Sequence, residues 1–282
     1  MTPSTLIHKR RQPIGRSAPG LSRGSLGSIK SWPIASFLSV LVGLGGWAMA
    51  SAAGLIDPIL MPGPAEVWKT FLVTAEVGYA GSSLLTNVLI SLARLGAGFL
   101  LAVAIGVPLG LAMGLNRWVK AFLDPILEVY RPLPALAYYT LIVALLGVDD
   151  ASKVVILFLG ALPPIILSTT DAVRHVRKER LQGVMSLGLS RRAVIQHVIF
   201  PSCLPEIFSG IRIGFGYAFT TLVAAEMIAS TSGLGWLVFQ AGQYSQASVV
   251  LVGITILGLV GLGIDAALRQ IQRLVAPWSG RA

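Results

Sequence analysis

Long apolar runs separated by short polar or Pro/Gly-rich breaks organise this chain. Trp32 to Leu55, Thr86 to Leu115, Phe122 to Val148, Val154 to Thr170, Ile207 to Ala229 and Ser248 to Leu268 are each apolar with few charges. A helix that crosses a hydrocarbon core needs ~20 such residues, so the pattern predicts six transmembrane helices and an all-α membrane protein. Between the first two runs, Pro58, Pro62, Gly63 and Pro64 break the helix, and Ala65 to Val77 reads as a short interfacial helix with Trp68 at headgroup level. Pro125, Pro132 and Pro134 interrupt the third run near its start, and Pro163-Pro164 lie inside the fourth. Gly106, Gly110 and Gly114 recur at every fourth position, a small-residue ridge along which helices approach closely.

The longest polar stretch, residues 171–205, has its own structure. It holds Arg174, Arg177, Lys178, Arg180, Arg191 and Arg192. Gly188 is placed to end one helix in a left-handed conformation, and Ser190 to cap the next. In that second helix Val194, Ile195, Val198 and Ile199 make an apolar stripe, and Pro201 is expected to stop it. Lys and Arg are distributed unevenly: 17 lie in the two tails, the Asn116 turn and this loop, against Lys69 and Lys153 in the alternate connections. Both termini and the loop are therefore expected on the cytoplasmic side.

Composition agrees: 54% of the 282 residues are hydrophobic and 12% charged, against about 25% charged in soluble domains. The net charge of +10 belongs to membrane orientation rather than nucleic acid. One cysteine, Cys203, and three scattered histidines offer no disulfide framework or metal cluster, and no G-x-x-x-x-G-K-[ST] phosphate loop is present. Residues 1–31 are basic, Ser/Gly/Pro-rich and acid-free, and read as a disordered cytoplasmic tail, with a transit peptide as the alternative.

Charged residues inside spans are functional candidates. Asp124, Glu128, Arg131, Glu206, Arg212 and Asp265 fall near cytoplasmic ends, as gate or interface ion pairs. Arg94 and Glu226 fall in the outer half, where Arg94 either meets an anion or pairs with Glu226. Tyr138 and Tyr139, beside Pro132 and Pro134, are candidates to line a path, because proline-freed backbone must face protein or water. Asp149 and Asp150 read as a solvated helix cap.

From Gln182 the loop runs Q-G-V-x-x-x-G, nine residues, then V-x-F-P. This resembles the EAA loop of ABC importer permeases, with Gly188 and Pro201 in register, Val198 and Phe200 as apolar substitutes, and Gln182, Gly183 and Val184 in place of Glu-Ala-Ala. FLDPILEVYRPLPALAYYTLIVALLGVDDASK, GIRIGFGYAFTTLVAAEMIASTSGLGWLV and LRQIQRLVAPW resemble taurine and aliphatic sulfonate permeases, and less specifically nitrate and bicarbonate ones. The resemblance implies a type I ABC importer transmembrane domain over residues 32–268, with a coupling loop at 171–205 and a cytoplasmic tail at 269–282. It implies a multi-pass subunit of a bacterial inner membrane that is not itself an enzyme. Its partners would be an ABC ATPase dimer carrying ATP and Mg, a periplasmic binding protein, a second copy of the chain, and lipid. Coupling would fall to Gln182, Gly183, Val184, Gly188, Val198 and Pro201, and a substrate path to Arg94, Tyr138, Tyr139 and Glu226. A secondary transporter would need a mid-membrane ion relay, and a lipid-modifying enzyme a His/Asp or metal cluster; neither is visible.

Overall fold

The computed structural model describes residues 32–176, 178–186 and 188–278. The expectations for the tail at 1–31 and for Arg177 lie outside them. The chain divides into two compact units, residues 1–46 and 47–282. The described part of the first is most of α1 (Trp32–Ala52), whose apolar side chains from Phe37 to Leu44 are exposed, as suits contact with lipid.

The described residues of the second unit form helices joined by turns and short irregular segments. It contains α2 (Pro64–Val77), α3 (Leu84–Leu115), α4 (Arg117–Tyr130), α5 (Tyr139–Leu146), α6 (Asp150–Arg174), α7 (Lys178–Ser186), α8 (Arg191–Val194), α9 (Phe200–Ile228), α10 (Leu234–Gln243) and α11 (Ala247–Val275). Among the described residues, four helices are long and apolar enough to cross a membrane: Leu84–Leu115, Asp150–Arg174, Arg192–Ile228 and Ala247–Val275.

Helix α6 is the centre of the core, packed between α3 and α9. Leu157, Ala161 and Ile165 on α6 are fully buried. Small residues set the spacing. A Cβ on Gly98 would lie 2.6 Å from the Leu157 Cβ, and one on Gly110 2.6 Å from the Thr169 Cβ and 2.7 Å from the Ile166 carbonyl. Gly106 and Gly114 face Ile165 and Val173 in the same way. The glycine ridge of α3 therefore serves the contact with α6 of the same chain, where absent side chains allow backbone-to-side-chain packing. On the other side, Gly214 of α9 meets Ile165 and the Ala161 carbonyl. Phe99 and Phe215 meet edge to face at 5.7 Å. Arg212 of α9 and Asp265 of α11 pair at 2.9 Å, and Arg269 reaches the same carboxylate at 3.1 Å, so two of the span charges join helices.

The sequence reading needs four corrections. The third run is not one helix: α4 passes through Pro125, ends at Tyr130, and is separated from α5 by an extended Pro134 and a short 3-10 turn, Ala135–Ala137. Pro201 does not stop the loop's second helix. Ile195–Ile199 forms a π-turn in which the Phe200 N–H donates to the Ile195 carbonyl, and the helix carries on through it into α9, with Pro201 in that element's first turn. Helix α11 runs on to Val275, past Leu268 where the apolar run was expected to end. Finally, α10 lies in a stretch the periodicity left unassigned.

Candidate substrate path and coupling surface

The break between α4 and α5 leaves room against α6 and α9. A cavity of about 490 Å³ lies there, and Tyr130, Arg131, Tyr138, Ser168, Asp171 and Tyr217 are among its lining residues. Pro163-Pro164 shape one wall. In an α-helix the N–H of residue i+4 satisfies each carbonyl, so these prolines strip the carbonyls of Leu159 and Gly160 of their donors. The Tyr130 hydroxyl donates to the Leu159 carbonyl at 3.0 Å. Tyr130 and Tyr138 hydroxyls hydrogen-bond each other. Since the Tyr130 proton is committed to Leu159, Tyr138 is the donor of that pair. The relay fixes both rings, 5.6 Å apart, against the proline-disrupted turn of α6.

Arg94, Glu226 and Tyr139 are elsewhere. Along α6 the nearest cavity residue, Leu159, is nine residues from Asp150, roughly 14 Å at 1.5 Å per residue. Around Asp150 the structure builds a second polar centre. Arg94 is 6% exposed and Glu226 fully buried. The Arg94 guanidinium meets Asp150 at 2.7 Å and Glu226 at 2.8 Å, and donates to the Ser232 carbonyl at 2.9 Å. Lys153 Nζ lies 3.9 Å from Asp150, so two cations face two carboxylates. Of the two alternatives left open for Arg94, the structure shows the pairing with Glu226, and its donors are taken by internal acceptors. Asp150, expected as a solvated cap, is one of its two acidic partners. Tyr139 is 1% exposed and packs with Ile142, Ile156 and Ala225.

The same centre caps α10. The N–H of Gly233 donates to Asn87 Oδ1 at 2.8 Å, that of Leu234 to Ser91 Oγ at 2.8 Å, and that of Gly235 to Glu226 Oε2 at 2.9 Å. Asn87, Ser91 and Arg94 stand at i, i+4 and i+7 on one face of α3. A carboxylate at a helix N-terminus is also favoured by the helix dipole. Gly233 has φ +110°, and a Cβ there would collide with the Glu226 carboxylate. Sequence reasoning missed Asn87 and Ser91. Their signal was polar side chains at helical spacing in an otherwise apolar run, with Ser230-Thr231-Ser232-Gly233 as the cap of a further helix.

The loop carries the remaining candidates. Gly188 follows α7 with φ +81°, its N–H bonded to the Met185 carbonyl at 3.0 Å. Ser190 Oγ accepts from the Ala193 N–H at 3.3 Å, the expected cap. Val194 and Ile199 are buried, and Val184, Ile195 and Val198 pack on the same core, which anchors the loop to α6 and α9. Gln182, Gly183, Met185, Gly188 and Leu189 are left exposed. Pro201 sits below, in the first turn of α9.

Residues 104–278 match the family described as the binding-protein-dependent transport system inner membrane component. The chain belongs to this family. It is thus an ABC importer permease, a component of the inner membrane, and not the subunit that performs enzymatic chemistry. The permease is 38% identical over 255 residues to the taurine transport system permease protein TauC of Escherichia coli, covering 88% of this chain and 93% of that protein. It is 32% identical to the putative aliphatic sulfonates transport permease protein SsuC of Bacillus subtilis, over 82% and 83% of the two chains. It is 31% identical to the nitrate import permease protein NrtB of Synechococcus elongatus, over 83% and 86%. Its fold resembles that in inward-facing structures of the MetNI methionine ABC transporter, with a TM-score of 0.60, 20% identity, and coverage of 68% of the permease and 95% of that chain. The type I importer fold expected from the loop motif is therefore the fold observed.

Proposed function

We propose that this permease passes a small organic sulfonate, taurine foremost, through a pathway formed by two copies of the chain. The supporting observation is the graded similarity: 38% identity to a taurine permease, against 31% to a nitrate permease, over comparable coverage. Two ABC ATPase subunits, which carry ATP and Mg, dock on the exposed face of the loop around Gly188, and a periplasmic binding protein delivers substrate. A helix–glycine–helix unit anchored by Val194 and Ile199 is suited to transmit motion, because a rigid body on a core-packed base moves with α6 and α9.

The Lys/Arg distribution supports a cytoplasmic position for both termini and the loop, and with it the Arg94–Glu226 centre at the outer end of α3, α6 and α9. In this reading that centre braces α10, and the cavity around Tyr138 forms part of the path. A path of this kind holds substrate weakly, since tight binding would stop release. Uptake of labelled taurine by cells expressing the complex tests the substrate. Competition by unlabelled taurine and alkanesulfonates, but not by nitrate or bicarbonate, is the expected result. Uptake of nitrate with indifference to sulfonates would replace the substrate while leaving the importer in place.

A further inference from the structure

We propose that the cavity between the α4–α5 break, α6 and α9 is a zwitterion site, in which Arg131 receives the sulfonate and Asp171 the ammonium of an amino-sulfonate. The proposal rests on the sulfonate reading above and adds the residues and the charge pattern that select the ligand. Gly160, Pro164, Ser168 and Asp171 stand at i, i+4, i+8 and i+11 of α6 and line the cavity together. They make a continuous stripe about 16 Å long at 1.5 Å per residue.

Both charges in this wall are unclaimed. Among the described residues, Asp124, Asp150, Glu226 and Asp265 each pair with a Lys or Arg. Arg131 and Asp171 do not take part in these or the other ion pairs of the described residues, although both line the same space. Both side chains are exposed to this space and carry charges that no ion pair of the described residues engages, so both are open to a ligand that enters it. A guanidinium offers planar, permanently charged donors to sulfonate oxygens. An ammonium opposite it would meet the Asp171 carboxylate and the Ser168 hydroxyl. The Gly160 carbonyl, which Pro164 deprives of its helical donor, is a further acceptor in the wall. Tyr217 of α9, 58% exposed, adds to the lining an aromatic ring, a group that attracts cations. The volume of about 490 Å³ falls within the roughly 300–1,000 Å³ of small-molecule sites.

One fixed cation with one fixed anion makes the site selective. A plain anion gains Arg131 but is repelled by Asp171, whereas a zwitterion satisfies both; rejection by an introduced like charge is a common route to specificity. The site would thus favour taurine over ethanesulfonate, which has the same sulfonate and no ammonium.

The permease–ATPase complex, purified without the binding protein, can be titrated with taurine and with ethanesulfonate by saturation-transfer NMR, which reads weak binding. The parent complex should bind taurine more tightly. Asp171→Asn should weaken taurine by about tenfold or more and leave ethanesulfonate unchanged or tighter, since only the ammonium partner and the repulsion are lost. Arg131→Gln should weaken both ligands. Retained ethanesulfonate binding by Asp171→Asn also shows that this variant is folded. Parallel loss of both ligands in Asp171→Asn, an unchanged preference for taurine, or no saturable taurine binding by the parent would overturn the zwitterion site. If the parent nevertheless imports taurine with its binding protein, the sulfonate reading survives that failure; if it imports no sulfonate, both fall.

Discussion

Replacing Glu226 with Leu should unlatch α10. The side chain is fully buried and makes one ion pair with Arg94 at 2.8 Å, accepts from Ser91 Oγ at 2.8 and 2.9 Å, and caps the Gly235 N–H at 2.9 Å. Removing one partner of a buried pair costs about 3–5 kcal/mol, because the other charge is stranded. Arg94 is not wholly stranded here, since Asp150 remains at 2.7 Å, which places the loss near 3 kcal/mol at the low end of that range. Glu226→Gln keeps the shape and one oxygen acceptor but loses the charge, for about 1–2 kcal/mol. At roughly 2–4 °C of Tm per kcal/mol, Glu226→Leu should melt on the order of 6–12 °C below the parent, and Glu226→Gln less. Thermal unfolding of the purified complex in detergent is the assay. The double variant Arg94→Met/Glu226→Leu should recover part of the loss, since neither charge is then buried alone. Parent-like melting of Glu226→Leu, combined with a raised KM for uptake, would show that Glu226 faces substrate and that the brace is not its role.

Three further outcomes follow from the geometry. Gly188→Val should lose substrate-stimulated ATP hydrolysis while Gly188→Asn keeps it, because φ is +81° with no atom within 4 Å of a built Cβ, so the penalty is backbone strain of about 1–3 kcal/mol that Asn tolerates; equal stimulation in both variants would remove that strain from coupling. Gly110→Val should destabilise the α3–α6 contact by about 1–3 kcal/mol through overpacking, whereas Gly96→Ala, with open space at its Cβ, should melt like the parent. In a Cys203→Ser background, a cysteine at exposed Asp149 should react with an impermeant reagent from outside and one at Gln182 only after permeabilisation, the reverse pattern overturning the topology; Lys153 is unsuitable for this purpose because it is 2% exposed.

The parts legible in the sequence were those governed by local periodicity and turn chemistry. Apolar runs located α3, α6, α9 and α11, and the Gly188–Ser190 spacing located the loop's turn and cap. Prolines were read too simply. A proline's effect depends on whether its neighbours can re-satisfy the freed carbonyl, and at Leu159 a tyrosine from α4 does so across space. At Pro201 a π-turn over Ile195–Ile199 precedes the proline and the helix continues past it into α9. The pairing of Arg94 was open between a structural partner and an anion because residues 132 positions apart leave no mark of contact in one sequence. For the same reason the cap of α10 by Asn87 and Ser91, contributed by a helix about 145 residues away, was invisible to local rules.

The central claim is an ATP-driven permease for a small sulfonate, and uptake by proteoliposomes tests it most directly. The permease, reconstituted with its ATPase, is given external binding protein and labelled taurine, with ATP or a non-hydrolysable analogue on the ATPase side. The account predicts accumulation above the external concentration only when ATP and binding protein are both present. Accumulation driven by an imposed ion gradient without ATP, or simple equilibration of taurine in the absence of either component, would contradict it.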